Sequence, residues 1–409
     1  MHFLNVDTLE TAHEKLFDCA KGWLITTETV KIEKSLNRIL SDDIFTSDNI
    51  PHFQRSTVDG YAVTSKDVAA ASDTIPVYLK VVGQIEMGQA SEISIRAGEC
   101  VEVSTGGMLP DGADAVVMVE YTETFTVDEI AIYSGVSNGE NVVQVGEDIK
   151  SGELLLSRGR RIQPQDIGSL SAVGVTEISV YTCPKISIIS TGDELILPDK
   201  IPRVGQMRDV NTNLLTSKAL KCGFEIINSI VIPDDRAKLE LFIIDAMKKS
   251  DIVIVSGGSS KGKKDLTCDV FSNLAKPGVF THGLAVKPGK PTILGYDDSS
   301  KTILIGLPGH PIAALMVFEL ILSHLLQDIT GSTPLPAIPA KISCNVASNP
   351  GRLSCFPARL IWTGEGYKAE PIFSKSGLIT ALVNADGYFL IERNLEGLTE
   401  GQYVQVYPL

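Results

Sequence analysis

A chain of 409 residues is too long for one ordinary core, and 44% hydrophobic with 21% charged residues is the composition of a globular protein of two to four domains, which excludes a mainly disordered chain, a collagen and a coiled-coil rod. With 36 Lys and Arg against 50 Asp and Glu the net charge is −14. Such a chain is no non-specific binder of nucleic acid or of an anionic membrane, and any anionic ligand must meet positive charge that is local.

In chain order, the N-terminal MHFLNVDTLETAHEKL has no basic region followed by an apolar run, so no secretory signal is predicted. Segments 30–47 and 152–181 belong to neither neighbour. They are expected to form one unit, with a β-rich segment from about 52 to 145 inserted between them. VYLKVVGQI, CVEVS, DAVVMVEY and EIAIYS are its strand candidates. From about 183 to 330, apolar runs ending in Gly-rich turns alternate with helical stretches: KISIIS, EIINSIVIP, DIVIVS and TILIG against NLLTSKALKCGF and AKLELFIIDAMKK. That alternation predicts a parallel α/β sheet. The most apolar helical stretch, Ile312 to Leu326, contains Glu319 and His324 and is read as too short and too polar to span a bilayer. Pro334, Pro336 and Pro339 mark a linker. The short alternating runs of 340–409 predict a small β barrel or sandwich. The seven cysteines, scattered from Cys19 to Cys355 with no CxxC, predict reduced thiols in a cytoplasmic protein.

Open parallel sheets bind ligands beyond the carboxyl ends of their strands. Four turns fall there: Ser190-Thr191-Gly192-Asp193-Glu194, Asp234-Asp235, Ser256-Gly257-Gly258-Ser259-Ser260 followed by Asp265, and Gly306-Leu307-Pro308-Gly309-His310-Pro311. The Gly-Gly-Ser-Ser turn can offer backbone N–H groups to a phosphate. Glu194, Asp234 and Asp265 would repel that phosphate unless a cation such as Mg²⁺ intervenes; each alone reads equally as a helix cap or a solvated turn acid. In Lys287-Pro-Gly-Lys290-Pro, prolines hold two ammonium groups suited to a small oxyanion, the alternative being a solvated loop. Outside this region, turns carry Asp59, Thr105 and Asp148, and hairpin chemistry alone explains each. No GxGxxG opening a helix, Walker A, GxSxG or HExxH occurs.

Eight motifs in one order resemble the MoeA family of molybdopterin molybdenumtransferases, also related to the gephyrin E domain, over nearly the whole chain. They are Pro51-x-Phe53-x-x-Ser56-x-x-Asp59-Gly-Tyr-Ala62, Thr105-Gly-x-x-x-Pro110-x-Gly-Ala-Asp114-Ala-Val-Val117, Asn141-Val-Val-x-x-Gly146-Glu-Asp148, Ser190-Thr-Gly-Asp-Glu-Leu195, Gly205-Gln-x-x-Asp209-x-Asn211, Ser256-Gly-Gly-x-Ser260-x-Gly262-x-x-Asp265, Lys287-Pro-Gly-Lys-Pro291 and Gly306-Leu-Pro-Gly-His-Pro311.

The resemblance implies an α/β and β multidomain fold. Its parts would be a molybdopterin-binding-type α/β domain with a parallel-rich sheet (1–29 plus 182–331), an elongated linking domain (30–50 plus 147–181), an inserted β-rich domain (51–146) and a C-terminal β barrel (332–409). It also implies a homodimer with the active site shared between subunits, the Asp59 turn coming from the partner. The implied reaction inserts molybdate into adenylyl-molybdopterin with Mg²⁺ and releases AMP, with a further contact to molybdopterin adenylyltransferase. On that reading Glu194, Asp234 and Asp265 surround the metal and phosphates, and Asp59, Thr105 and Asp148 complete the catalytic set. Gly257, Gly258, Ser260, Pro308 and Gly309 line the substrate, and Lys287, Lys290, Arg352 and Ser376 reach molybdate. Two alternatives stand beside it. An adenylyltransferase would need only the α/β domain, and a scaffold need not keep the acidic and lysine sets.

Overall fold

The structure is a computed structural model that describes residues 6–257, 266–373, 377 and 379–409. It divides into two compact units: Met1–Asp42, Arg158–Pro164 and Glu177–Leu409 in one, Asp43–Ser157 and Gln165–Thr176 in the other.

The larger unit is built on a six-stranded sheet with the spatial order Glu225–Ile232, Lys185–Thr191, Ile252–Gly257, Thr302–Leu307, Ile293–Asp297, Pro277–His282. The first four strands are parallel. Ile293–Asp297 runs antiparallel to both its neighbours and Pro277–His282 runs with the first four, so the sheet is parallel-rich, as the resemblance implies, though not wholly parallel as the alternation alone suggests. The cause is local. Residues 298–301 are too few for a crossover, so Ile293–Asp297 must return as a hairpin. The Asp297 carboxylate fixes that turn by accepting from Ser300 N and Oγ, both at 2.8 Å.

Both faces are covered, which is why these strands read as continuous apolar runs. Ile186, Ile188, Ile252, Ile254, Ile303 and Ile305 face a core shared with Leu16, Leu215, Phe318 and Leu325. Ile189, Val253, Val255 and Leu304 face the other way, onto Leu239, Ile243, Val270 and Phe271. The period-two alternation of strand side chains assigns each set to its face. Helices Leu9–Ala20 and Asn211–Cys222 cover the first face, and Arg236–Met247 and Leu266–Leu274 the second.

The helical run after the last parallel strand extends from Pro311 to Thr330, with a π-helical turn at Glu319–Ser323. It is longer than the stretch read from the sequence. By length and composition alone its 20 residues, at a mean hydropathy of 1.7, could cross a membrane, which corrects the expectation that it is too short; 72% of its apolar window is nevertheless buried inside the protein. Its apolar character is that of a core helix, hydrophobic all round because it is packed on all sides.

At the C-terminus, Ile338–Ile342, Leu353–Trp362, Tyr367–Pro371, Gly387–Ile391 and Tyr403–Pro408 close into a five-stranded barrel, since Leu353–Trp362 pairs with both Tyr367–Pro371 and Gly387–Ile391. Ile342, Phe389, Ile391 and Val406 fill it. Closure leaves no free edge.

The smaller unit is a half-barrel sheet of six strands in the order Ala115–Met118, Gly60–Val63, Glu99–Val103, Val77–Ile85, Glu129–Ile132, Thr122–Thr124. The strands expected between 52 and 145 are all present. The short pairs Arg55–Ser56 with Val142–Val143 and Ile44–Phe45 with Leu154–Leu156 bring the flanks of the inserted segment together.

Candidate active site

Parallel strands end on one edge, so the turns after Lys185–Thr191, Glu225–Ile232, Ile252–Gly257 and Thr302–Leu307 meet there. The Thr191 hydroxyl donates to Asp234 Oδ1 at 2.7 Å, and Asp234 N donates to Asp193 Oδ1 at 3.1 Å. These bonds join the first two turns. The neighbouring Asp235 is a helix N-cap that accepts from Lys238 N at 3.1 Å. Of the two adjacent aspartates, one is therefore structural and Asp234 is left exposed at the rim. Glu194 is exposed too, its carboxylate turned back over Gly192: a Cβ there would lie 2.9 Å from Glu194 Oε1.

Gly257 closes the rim. Its φ is +109°, and a Cβ would lie 2.2 Å from the Thr191 carbonyl oxygen, so no other residue fits. Gly309 approaches it as well, with space for a Cβ 3.6 Å from Gly257 Cα, while Pro308 is buried beneath. Gly258, Ser260 and Asp265 lie outside the described residues. Among the described residues no group of three or more His, Cys, Asp and Glu side chains could hold a metal ion. Glu194 and Asp234 are two carboxylates of the expected three and do not by themselves make a magnesium site.

The lysine loop is fixed from both sides. A Cβ on Gly289, whose φ is +125°, would lie 2.4 Å from Val317 Cγ2, so the loop backbone rests directly on the core helix. Thr292 Oγ1 donates to Gly289 O at 2.7 Å, and Leu284 N to Lys290 O at 2.9 Å. Val286–Lys287 pairs in parallel with Leu353 and Ser354 of the barrel. That pairing sets exposed Arg352 at the head of the barrel strand beside the loop, and Leu353 N bonds Ala285 O at 2.8 Å. Lys287, Lys290 and Arg352, distant in sequence, thus share one seam, and none is in an ion pair with a described carboxylate. Ser376 lies outside the described residues; a Cβ on its neighbour Gly377 would sit 3.6 Å from His310 Cδ2 of the Gly-His-Pro turn.

In the smaller unit the three outlying motifs meet. Asp59 Oδ1 accepts from Thr105 N at 2.7 Å and Thr105 Oγ1 at 3.0 Å. Those two donors, the backbone one first, hold the exposed Asp59 carboxyl below its usual range. Gly106 N bonds Ser56 O at 2.8 Å, and Thr57 N bonds Asn141 O at 3.0 Å. Asn141, at φ +61°, sends Nδ2 to Val116 O at 2.8 Å. Gly146 N bonds Pro51 O at 3.0 Å, and exposed Asp148 follows with its N on Ile50 O at 3.1 Å. Asp59 and Thr105 were read as separate candidates from the sequence, and the structure makes them one hydrogen-bonded pair. Asp148 joins the same group of turns through the backbone.

The sequence reading gave no role to Asn211 or Ser256 Oγ, which link turns of the sheet rim: Asn211 Nδ2 donates to Ser256 Oγ and to Gly309 O, both at 2.8 Å. The available signal was an asparagine that opens a helix inside one of the motifs.

An α/β sheet with carboxylate-bearing turns at its strand ends, joined to a closed barrel and accompanied by a half-barrel unit, defines a multidomain α/β and β protein. The chain matches the MoeA N-terminal region (domain I and II) over residues 7–174, the family described as "Probable molybdopterin binding domain" over 187–328, and the MoeA C-terminal region (domain IV) over 339–409. It is 30% identical to the molybdopterin molybdenumtransferase of Haemophilus influenzae over 98% of each chain. With that of Bacillus subtilis it shares 31% identity, over 93% of this chain and 89% of that one. Among solved structures, a molybdopterin biosynthesis MoeA protein of Pyrococcus horikoshii superposes with a TM-score of 0.83 at 28% identity, covering 98% of this chain and 100% of that one. The chain belongs to the MoeA family and is a transferase of molybdenum cofactor biosynthesis.

Proposed function

We propose that the protein is a molybdopterin molybdenumtransferase that inserts molybdate into adenylyl-molybdopterin and releases AMP. The observation that carries this reading is the rim itself: Asp234 held by Thr191 beside Glu194, with the backbone of Gly257 and Gly309 bare next to them. Bare N–H groups suit phosphate oxygens, and carboxylates suit proton transfer during cleavage of a phosphoanhydride. Gly257, Gly258, Ser260, Pro308 and Gly309 would line the phosphates. Lys287, Lys290, Arg352 and Ser376 would hold molybdate, a small dianion matched by paired cations.

Magnesium belongs to the same reading. Glu194 and Asp234 would need Asp265 to hold it, and when bound it would neutralise phosphate charge next to the carboxylates. The chain's own groups orient the substrate and exchange protons. Glu194 and Asp234 accept them, and the lysine seam keeps molybdate near the dithiolene. A homodimer in the cytoplasm completes the proposal, with Asp59, Thr105 and Asp148 of the partner facing this rim. The four-domain division at 30, 51, 147, 182 and 332, and a transfer contact with molybdopterin adenylyltransferase, go with it.

The test is a defined reconstitution. Purified protein, adenylyl-molybdopterin and molybdate are mixed with and without Mg²⁺, and AMP is followed. AMP that depends on molybdate supports the insertase. AMP without that dependence points to plain hydrolysis, and tight binding without turnover points to a carrier.

A further inference from the structure

Three of the four rim turns are attached to the start of one helix, Asn211–Cys222. Thr212 Oγ1 bonds Ser190 Oγ at 2.8 Å, at the end of the first strand. Asn211 Nδ2 reaches Ser256 Oγ at the end of the third strand and Gly309 O in the turn after the fourth parallel strand. Ser256 Oγ in turn donates to Pro308 O at 3.4 Å. The fourth turn is joined through Thr191 and Asp234. Asn211 is therefore the node between the turn that opens the Gly-Gly-Ser-Ser loop and the Pro-Gly-His turn.

Asn211 is 7% exposed, and among the described residues its fully buried Oδ1 has no hydrogen-bond partner. Buried acceptors in folded proteins are nearly always paired, and an orphan costs about 1–3 kcal/mol. A plain structural tie would not carry that cost. An acceptor next to Gly257 and Gly309 that lacks a donor is matched to an N–H or O–H arriving with an occupant of the rim.

We infer that Asn211 is a positioning residue for the transfer reaction: its amide group holds the Ser256–Gly257 and Pro308–Gly309 turns in register, and its free carbonyl oxygen accepts a hydrogen bond from the bound substrate. The inference rests on the proposed molybdenumtransferase reading of the same rim. A pterin-containing substrate, rich in N–H donors, supplies the missing partner.

The experiment compares wild type, Asn211→Ala and Asn211→Asp. Aspartate keeps the shape and the acceptor but loses both amide donors. Each variant is checked for folding by its melt, then assayed for molybdate-dependent AMP release and for hydrogen–deuterium exchange over 252–257 and 305–311. Both variants are expected to lose kcat by about tenfold or more while KM for molybdate moves less than about threefold, because the lysine loop is untouched. Exchange should rise in both segments together in either folded variant. Unchanged kcat, or exchange that rises in neither segment or in one alone, overturns the inference. If wild type itself releases no molybdate-dependent AMP, the functional reading fails, and the exchange measurement still decides whether Asn211 couples the two turns.

Discussion

The rim of the mixed sheet and the Asp59 patch of the smaller unit both present exposed carboxylates, but they are made differently. At the rim, the turns that carry Asp234 and Glu194 share an edge because parallel strands must end on the same side, and one hydroxyl, that of Thr191, fixes Asp234. In the patch the pairing is antiparallel: Gly60 pairs with Val103, which sets the Asp59 and Thr105 turns side by side, and Ser56 pairs with Val142. Asp59 is held by the backbone and hydroxyl of Thr105, and backbone bonds tie Ser56 to Gly106 and Gly107 and Thr57 to Asn141. A site at a sheet rim inherits its precision from a core, since the strands beneath are buried. The patch also rests on buried strands, but its acid is fixed by the two Thr105 bonds and not by the hydroxyl of a strand-end residue within a parallel rim, so single substitutions should separate the two.

The largest expected effect is at the rim. Glu194→Ala and Asp234→Ala are each expected to reduce molybdate-dependent AMP release by about a hundredfold or more, with a thermal melt close to wild type because both side chains are exposed. Turnover within about threefold of wild type would remove these acids from the chemistry. Asp59→Ala should be as severe alone. If the patch serves the partner's rim, mixing it with Asp265→Ala after subunit exchange should restore about one quarter of wild-type activity, because half the dimers carry one intact site of two. No recovery, with exchange verified, would place both acids in the same subunit's site.

Next comes Gly257→Ala, which sets a Cβ against the Thr191 carbonyl in a backbone conformation that alanine rarely adopts. A loss of more than about 1 kcal/mol in denaturant unfolding is expected, together with turnover. A stable, active variant would mean the rim does not need this close approach.

The smallest effect is expected from Thr105→Val. Asp59 has a lowered folded-state pKa, so its ionised form is favoured above the ordinary carboxylate value and lost as pH falls through the lowered one. Removing the hydroxyl takes away one of two donors and moves that pKa up. The acid limb of the activity profile should then shift to higher pH, with little change near neutrality. An unmoved limb would show that the backbone donor alone suffices.

Much of this was legible beforehand. Continuous apolar strands punctuated by Gly and acids gave the α/β region, and alternation in 340–409 gave the barrel, because burial on two faces or on one leaves different periods. The hairpin of 293–307 was missed, since a short apolar run does not announce its direction and only the brief Asp297 turn forces it back. The core helix was read short because its last turn, Gln327-Asp328-Ile329-Thr330, is mostly polar; in the fold it continues to Thr330, and the interior Glu319 pairs with Lys218 at 2.6 Å. At the site, residue type alone does not separate Asp234 from Asp235 and the resemblance is what singles out Asp234; the helix that begins at Arg236 makes Asp235 a cap.

By itself, then, the sequence determined which residues could do the chemistry. The acids, the paired lysines and the glycines that only a tight backbone requires are chosen by residue type and local spacing, and these survive in one dimension. The tertiary structure decided which of them act together. The Lys287 strand pairs with the barrel strand that follows Arg352, Thr105 closes on Asp59, and Asn211 spans from Ser256 to Gly309. Each of these is a long-range contact set by sheet register and packing, and no local propensity encodes it.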